Sequence, residues 1–447
     1  MVSPVLNILA NVPPVVFGWG GVMLAVVLIL LSLRAGKRKR LVDNIPTSKT
    51  TGVFIGFVEV KGTAESEQPF CSYLAETTCV WYSWKVEERW ERTVTERYTD
   101  SEGKSRTRTK TQSGWRTVGR GAQEQLFYLR DDCGVIRVNP DRAQIQAETV
   151  FSRTVGRHDP LYFGKGPADE IMDSDHRRRF TERAIGLHAD LYVIGHARER
   201  DDVIAPEIAY DDTAPMFLIS TRSEKQVSRG LSWLFWGLAV LGLVLGVVGW
   251  IITHKQMGAD PAGRIATYGG TALGLAGGWL VGCVWMIYNS MVGLKQRVAQ
   301  AWSNVDVQLK RRADLVPPLV ACLEGLKSHE RSVQEQVALL RSQAAVTAPG
   351  QDGADARACA PKLIALRESY PELKSNQNFL KLQQALCDTE NRIALARGYF
   401  NEIVEHHNIR LLIVPDRFIA ALAGLKPRDY ITAEDFERPA VRVNLAD

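Results

Sequence analysis

The sequence lacks the cysteine spacing of a zinc module or a disulfide framework. Seven cysteines are scattered over 447 residues, and no CxxC pair occurs among them. Zinc ribbons and RING domains hold their metal with closely spaced pairs of cysteine or histidine, so the sequence predicts neither. Free thiols are instead typical of a protein that faces a reducing compartment.

Local signatures of catalysis are also missing. The sequence contains no phosphate loop, no dinucleotide fingerprint and no serine–histidine motif. Two histidine-containing groups in the C-terminal part, 329–330 and 405–407, are the candidate metal ligands there, but no Glu-x-x-His motif accompanies them. We therefore expect no catalytic residue, no metal and no cofactor. The net charge of +5 is mild, and no nucleic-acid partner is expected.

Three long stretches carry no charge, namely 13–33, 231–252 and 267–288. About 20 apolar residues suffice for a helix to cross a bilayer, so each stretch predicts a transmembrane helix. Positive charges follow the first stretch within 34–40 rather than preceding it. That order favours an uncleaved anchor over a signal peptide.

The distribution of basic residues predicts how the chain crosses the membrane. Basic residues cluster in 34–40, 222–229 and 295–312, whereas the hairpin 253–266 carries only Lys255 and Arg264. The positive-inside rule then places the N-terminal residues 1–12 and this hairpin outside. Both soluble regions are expected in the cytoplasm, at a bacterial inner membrane.

Glycines recur at a four-residue interval in the third predicted span, at Gly270, Gly274, Gly278 and Gly282. Small residues on one helical face let two helices approach closely in lipid. Gly242 and Gly246 in the second span are candidates for the facing groove, so the predicted contact is either within one chain or between subunits.

The region 50–225, which follows a basic linker at 34–49, is rich in β-branched and aromatic runs bounded by turn residues. A hairpin is predicted at 100–103, and the segment HRRRFTERAI at 176–185 is predicted to be a helix. The segments CVWYSWKVEE, LRDDCGVIRVNPDRA and DLYVIGHA resemble the GIDE-type, or beside-a-membrane, domain over roughly residues 45–225. Some relatives with this domain are membrane-bound ubiquitin ligases through a separate RING, which this chain lacks.

A basic segment follows the predicted hairpin. Lys104, Arg106, Arg108 and Lys110 alternate with serine and threonine, which places all four on one face of a strand. One interpretation is contact with anionic lipid headgroups. The other is a solvated edge that the charges protect from pairing.

The C-terminal region 289–436, followed by a tail at 437–447, predicts long helices packed along a heptad seam. Residues three and four apart repeat over about four heptads, a spacing typical of a bundle or coiled coil. The predicted seam consists of Trp302, Val305, Leu309, Phe379, Leu382, Leu386, Ile393 and Phe400. The third span is predicted to continue into the first bundle helix over 267–328, with a kink at Pro317-Pro318. Further helices are predicted over 331–345 and 376–410, and after Pro415 up to Gly424.

QAWSNVDVQLKRR at 300–312 and the helix-forming stretch 368–397 closely resemble the LemA family over roughly 286–436. The fold class expected is a multi-domain α+β membrane protein: three transmembrane helices, a β-rich juxtamembrane domain and a long antiparallel LemA-like bundle. The resemblance implies a non-enzymatic, self-associating scaffold that organises the membrane, with the lipid bilayer and further copies of the chain as partners. An adaptor for a membrane protease is the alternative, and a ubiquitin-ligase-like enzyme is a distant third.

Overall fold

The computed structural model describes residues 13–99, 105–200, 205–257, 261–324 and 377–431. Six helices are present in these ranges: α1 (Pro14–Asp43), α2 (Pro160–Gly164), α3 (Glu224–Met257), α4 (Pro261–Glu324), α5 (Gln377–Arg410) and α6 (Asp416–Leu422), with a 3-10 turn at Thr50–Gly52. The chain divides into two compact units. One is built from the ranges 1–42 and 55–283, and the other from 43–54 and 284–447.

The strands lie between α1 and α3, as the sequence predicts. They are β1 (Thr47–Ser48), β2 (Gly56–Glu65), β3 (Phe70–Cys71), β4 (Thr78–Thr99), β5 (Ser105–Glu124), β6 (Phe127–Arg130), β7 (Val135–Val138), β8 (Gln144–Gln146), β9 (Glu148–Gly156), β10 (Ser174–Gly186), β11 (Asp190–Glu199), β12 (Pro206–Ala209) and β13 (Leu218–Ser220).

Five of these strands close into a small barrel in the first unit. The order β2-β6-β7-β12-β11 returns to β2 because β11 pairs with it antiparallel over Asp190–Ala197. Strands β13 and β8 extend the ring from β11. Val60, Phe127 and Leu129 are among the side chains fully buried in it. Closure satisfies the backbone groups that an open sheet edge would expose.

A second sheet runs in the order β3-β4-β10-β9, with β5 on the free side of β4. Strands β4 and β5, on either side of the predicted turn, form an antiparallel hairpin that pairs from Trp81↔Glu124 to Thr99↔Ser105. Strand β10 follows β4 only as far as Trp90. Beyond that residue the hairpin is a two-stranded ribbon about 30 Å long, at roughly 3.3 Å per residue.

The helix predicted for 176–185 is wrong, because this segment is most of strand β10. Burial alternates along it: Arg178, Phe180 and Glu182 are fully buried, whereas their neighbours are more exposed. Arginine and glutamate are good helix formers, but the pairing of β10 with β4 and β9 on both edges overrides that preference. In the sequence, this alternation of buried and exposed positions is not visible as an alternation of apolar and polar residues, because half of the inward-facing residues are charged.

These buried charges are paired within the second sheet. Nε and Nη2 of Arg178 each lie 3.0 Å from Oε2 of Glu88. The same guanidinium donates to the carbonyl oxygens of Tyr162, Pro167 and Asp169 at 2.7–2.8 Å. Because every donor direction has an acceptor, the pair fixes the loop between β9 and β10 against the sheet.

Glu182 has a comparable structural role on the same strand. Its carboxylate accepts hydrogen bonds from the backbone amides of Tyr73, Leu74 and Ala75 at 2.7–3.1 Å. These bonds hold the turn between β3 and β4. The buried acids of this domain thus have their hydrogen bonds satisfied by structural partners.

The second unit is helical. Val298, Ala301, Val305 and Leu309 of α4 form one buried cluster with Ile393, Ala396, Phe400, Ile403 and Val404 of α5. The 3-10 turn also contacts α5, since a Cβ atom added at Gly52 would lie 3.0 Å from Cβ of Leu395. Residues 43–54, directly after the first apolar helix, are therefore part of this helical unit.

The apolar helices extend beyond the stretches that the sequence marks as apolar. Helix α1 continues through the predicted linker to Asp43, and α3 and α4 include 253–257 and 261–266 of the predicted hairpin. Helix α4 is continuous from Pro261 to Glu324 with Pro317 and Pro318 inside it. Backbone hydrogen bonding does not need apolar side chains, so a helix can continue into polar residues. The ends of the apolar stretches therefore do not mark the ends of the helices. Several predictions lie outside the described residues, namely those for 1–12, 100–103, 331–345 and 437–447.

We expect Arg178→Ala to lower the free energy of unfolding by about 3–5 kcal/mol, because Glu88 would remain buried without its cation. Hydrogen exchange of the β4 and β10 amides in the detergent-solubilised full chain measures the effect. The control is Arg177→Ala, whose side chain is 60% exposed and should change stability by no more than about 0.5 kcal/mol. Equal protection in both variants would contradict a stabilising role for the pair.

Candidate functional site

Three helices are long and apolar enough to cross a membrane. By length and composition they are the segments Val15–Asp43, Glu224–Lys255 and Ala262–Leu319. Many of their apolar side chains are exposed, among them Met23 of α1, Trp233 of α3 and Leu273 of α4. Exposed apolar side chains at this density suit a lipid environment. The candidate site therefore consists of these helices and the segments beside them.

Glycines bring α1 and α3 into close contact. A Cβ atom added at Gly249 would lie 2.6 Å from the carbonyl oxygen of Phe17, and one at Gly21 would lie 2.9 Å from that of Leu245. Farther along, Ser32 Oγ donates a 2.7 Å hydrogen bond to the carbonyl oxygen of Phe235. Side chains larger than hydrogen have no room at these glycines, so the two helices pack backbone to backbone.

The sequence suggests α4 as the partner of Gly242 and Gly246, and the structure shows this contact for Gly246 but not for Gly242. Gly242 packs on α1 rather than on α4, since its added Cβ would lie 3.1 Å from the carbonyl oxygen of Ala25. Gly246 lies between Ala25 of α1 and Leu275 of α4. Spacing identifies a face rich in small residues, but all three helices have one, so spacing could not identify the partner.

The glycines of the four-residue repeat in α4 fall into two groups, one packed against another helix and one not. Gly282 packs against Leu33 of α1, whereas added Cβ atoms at Gly270, Gly274 and Gly278 meet no atom within 4 Å in the described part of the chain. We call these three residues the open glycine face. Within the described residues it has no intramolecular partner.

A polar cluster joins four segments of the second unit, and we call it the polar joint. Asn44 donates from Nδ2 to Ser290 Oγ of α4 at 3.0 Å and accepts from Arg410 Nε of α5 at 2.9 Å. Nη1 of Arg410 lies 3.5 Å from Oδ2 of Asp416, the first residue of α6. Asn44 and Asp416 are buried, so these bonds replace water at both groups.

Helix α6 is buried on one side and exposed on the other. Ala420 and the partly buried Ile419 pack against Ile287 and Met291 of α4. Phe418 and Leu422 are exposed on the opposite side, and Leu412 and Val414 are exposed in the turn before the helix. The predicted helix after Pro415 is confirmed, and Gly424 follows its end with φ +62°.

The predicted seam residues lie mainly where α4 and α5 meet. Val305, Leu309, Ile393 and Phe400 share the buried cluster described above, and Trp302 contacts Phe400 with ring centroids 5.8 Å apart. Phe379 and Leu386 are also buried. Leu382 is only partly buried, whereas the adjacent Gln383 is buried. A 3.6-residue helix drifts relative to a strict heptad, which moves the buried face by one residue.

The basic segment lies on the projecting ribbon. The backbone register pairs Arg106, Arg108 and Lys110 with Tyr98, Glu96 and Val94, and the two-residue period places Arg108 and Lys110 on one face. Arg108 and Lys110 are exposed. Lys104 lies outside the described residues. Contact of this face with lipid stays a prediction.

Three titratable groups are candidates for chemical reactivity, and each is buried or bonded to the backbone. Burial raises the pKa of the Cys79 thiol to about 11, which disfavours the reactive thiolate. His407, one of the candidate metal ligands that the sequence offers, is buried, and burial lowers the pKa of its imidazole. Asp131, Asp132 and Cys133 bring possible ligand atoms within 4.8 Å of one another, a grouping that sequence analysis missed. Asp131 Oδ1 there accepts from the amides of Cys133 and Gly134, as in an ordinary turn.

Comparison with known families agrees with this architecture. The family model for GIDE, described as an E3 ubiquitin ligase, matches residues 95–249, and the model for the LemA family matches residues 301–445. The chain carries a GIDE domain and a LemA domain. Both resemblances inferred from the sequence are thereby confirmed.

Curated relatives come from magnetosomes. The chain is 23% identical to magnetosome protein MamQ of Magnetospirillum gryphiswaldense over 185 residues. It is equally similar, over 186 residues, to magnetosome protein MamQ 2 of Paramagnetospirillum magneticum. Each alignment covers 35% of this chain and 66% of the relative, so the chain spans slightly less than two thirds of the length of these relatives.

We expect Gly249→Leu to separate α1 from α3, because its side chain would overlap the backbone at Phe17. Overpacking of this kind costs about 1–3 kcal/mol. Resistance of the detergent-solubilised protein to unfolding by sodium dodecyl sulfate measures it. Gly237→Leu is the matched control, since it lies on the same helix and an added Cβ meets no atom within 4 Å. Identical resistance would contradict the glycine-mediated contact.

Proposed function

We propose that this chain is a membrane-anchored, self-associating scaffold of the LemA type that organises or shapes the bacterial inner membrane. The observation that carries the proposal is the open glycine face. Gly242, Gly246 and Gly282 are used in packing within the chain, whereas the open glycine face has no partner in the described residues. Small residues favour helix association in lipid, and a second copy of the chain is the partner that suits this face.

In the proposed arrangement α4 and α5 run antiparallel and form a bundle on the cytoplasmic side. Membrane anchoring raises the effective concentration of neighbouring copies, so modest contacts suffice for assembly. A closed homo-oligomer would satisfy each exposed face without endless growth. The LemA match and the magnetosome relatives support a role at membranes, while the scaffold role is our inference.

The proposed function involves no catalysis. The description of the GIDE family as an E3 ubiquitin ligase does not transfer easily to this chain, because the sequence has no closely spaced cysteine pair for a RING. The GIDE domain is instead proposed to act as a rigid cytoplasmic body held between two spans. An adaptor for a membrane protease is the alternative that the assembly experiment addresses.

Topology is the first test. Reporters fused after Asp447 and inserted within 347–361 should both report the cytoplasm, and a reporter at Gly258 should report the periplasm. The physical reason is the excess of basic residues beside the soluble regions. A reporter at Gly258 that lies on the same side as the other two would refute the third span and with it the model with three spans.

Assembly is the second test. Replacing both Gly274 and Gly278 by leucine should reduce the size of the assembly in native mass spectrometry, because the larger side chains hold neighbouring helices apart. Gly269→Leu is the matched control: it adds leucine to the row of α4 that already carries Leu273 and Leu280, and an added Cβ at Gly269 meets no atom within 4 Å.

Crosslinking in native membranes complements this measurement. Asn391→Cys and Ala394→Cys, on the exposed side of α5 in a cysteine-free background, should give dimers and larger species. Monomer alone at both positions, together with an unchanged assembly in the double-glycine variant, would refute self-association. Recovery of that monomer with a protease would then favour the adaptor.

A further inference from the structure

Exposed apolar residues are concentrated in α6 and in the turn before it. We call Leu412, Ile413, Val414, Phe418 and Leu422 the α6 apolar face. Phe418 and Leu422 are four residues apart within α6, so they lie on one side of the helix, and Val414 directly precedes it. Phe418 is 63% exposed and Leu422 is 90% exposed. Leu412 and Ile413 add two more exposed apolar side chains in the preceding turn. A soluble surface seldom gathers this many large apolar groups in about a dozen residues.

The position of α6 is fixed against α4. Ala420, Ile419, Leu411 and Leu425 pack with Ile287 and Met291. Tyr288, the last residue of the apolar stretch of α4, lies between these two contacts, and its side chain is exposed. At 1.5 Å per residue the contact at Met291 is only about 5 Å beyond Tyr288 along the helix. Helix α6 therefore lies beside α4 at the level where the apolar stretch ends.

The charges around α6 suit the boundary of a bilayer. Asp416 is buried beside Arg410, which removes its charge from the surface. Arg417, Lys426 and Arg428 are exposed on the same segment. Basic side chains beside an apolar face extend to lipid headgroups while the apolar residues enter the acyl region.

We propose that the α6 apolar face inserts into the membrane in which α4 is anchored, at the boundary between headgroups and acyl chains. The segment from Leu411 to Leu425 would be a monotopic wedge, held to α4 by Ile287 and Met291 and to α5 by the polar joint. The proposal rests on the membrane anchoring of the proposed function. It goes beyond the three spans because it assigns a fourth lipid contact to the LemA domain itself.

Fluorescent labelling of the full chain in liposomes tests the proposal. In a cysteine-free background, an environment-sensitive fluorophore is attached at Leu422→Cys, at Leu280→Cys within the span, or at Val307→Cys on α4. All three native residues are exposed and apolar. Val307 lies 19 residues beyond Tyr288 on the continuous helix, about 28 Å farther from the membrane. It controls for exposure without membrane contact.

Quenching by brominated lipids and by aqueous iodide distinguishes the outcomes. We expect the label at Leu422 to be quenched by lipid, more strongly when bromine lies near the headgroup than near the acyl terminus. The label at Leu280 should show the reverse depth preference, and iodide should quench only the label at Val307. Quenching of Leu422 by iodide as strong as that of Val307, with Leu280 still quenched by lipid, would overturn the wedge and leave the proposed anchoring intact.

Two further outcomes are decisive. If the labels at Leu280 and Leu422 both escape lipid quenching, the anchoring in the proposed function fails as well. If Leu422 is protected from iodide without lipid quenching, a protein surface covers it, and the wedge is refuted in favour of a contact with a second copy. Replacing Phe418 and Leu422 together by serine should abolish the lipid-dependent blue shift of a label at Val414→Cys, whereas Arg417→Gln should largely retain it.

Discussion

The polar joint sets the arrangement of the helical unit. Asn44, directly after the first apolar helix, contacts Ser290 of α4 and Arg410 of α5, and Arg410 in turn contacts the start of α6. Hydrogen bonds require a particular distance and a particular direction, whereas apolar contacts require only proximity. The polar joint therefore specifies its partners more narrowly than an apolar contact does. Once these bonds form, the start of α6 is fixed relative to α4 and α5. The α4–α5 core and the exposed face of α6 both depend on that geometry.

Buried charge plays the same structural part in the GIDE domain. The guanidinium of Arg178 donates to a carboxylate and to backbone carbonyl oxygens, and the carboxylate of Glu182 accepts hydrogen bonds from three backbone amides. Such groups cost free energy to bury and return it only when all their partners are in place, so they specify one arrangement of loops over the sheet. Buried acids are often a sign of catalysis, but here their hydrogen bonds are occupied by structural partners. The function that we propose accordingly depends on apolar surfaces of the chain.

Sequence patterns predicted the large features because those features repeat. Each of these patterns extends over many residues: three apolar runs, a long polar hairpin and the heptads of α4 and α5. A single position that does not fit such a pattern does not change the prediction. The failures concern partners that are distant in sequence. Strand β10 was predicted as a helix because its inward residues include Arg178 and Glu182, whose counterparts lie about 90 to 110 residues away. The partner of Gly242 and the role of Asn44 likewise depend on tertiary contacts that no local period encodes.

The polar joint also has a consequence for how the chain is made. The hydrogen bond from Arg410 to Asn44 connects residues 366 positions apart. At a synthesis rate of roughly 5–20 residues per second, about 20–70 s pass between the synthesis of Asn44 and that of Arg410. During that interval the first helix, the β domain and the next two apolar helices are already available to fold. The second unit therefore closes only after Arg410 has been synthesised, and a ribosome that stalls before this residue leaves a chain whose second unit cannot close.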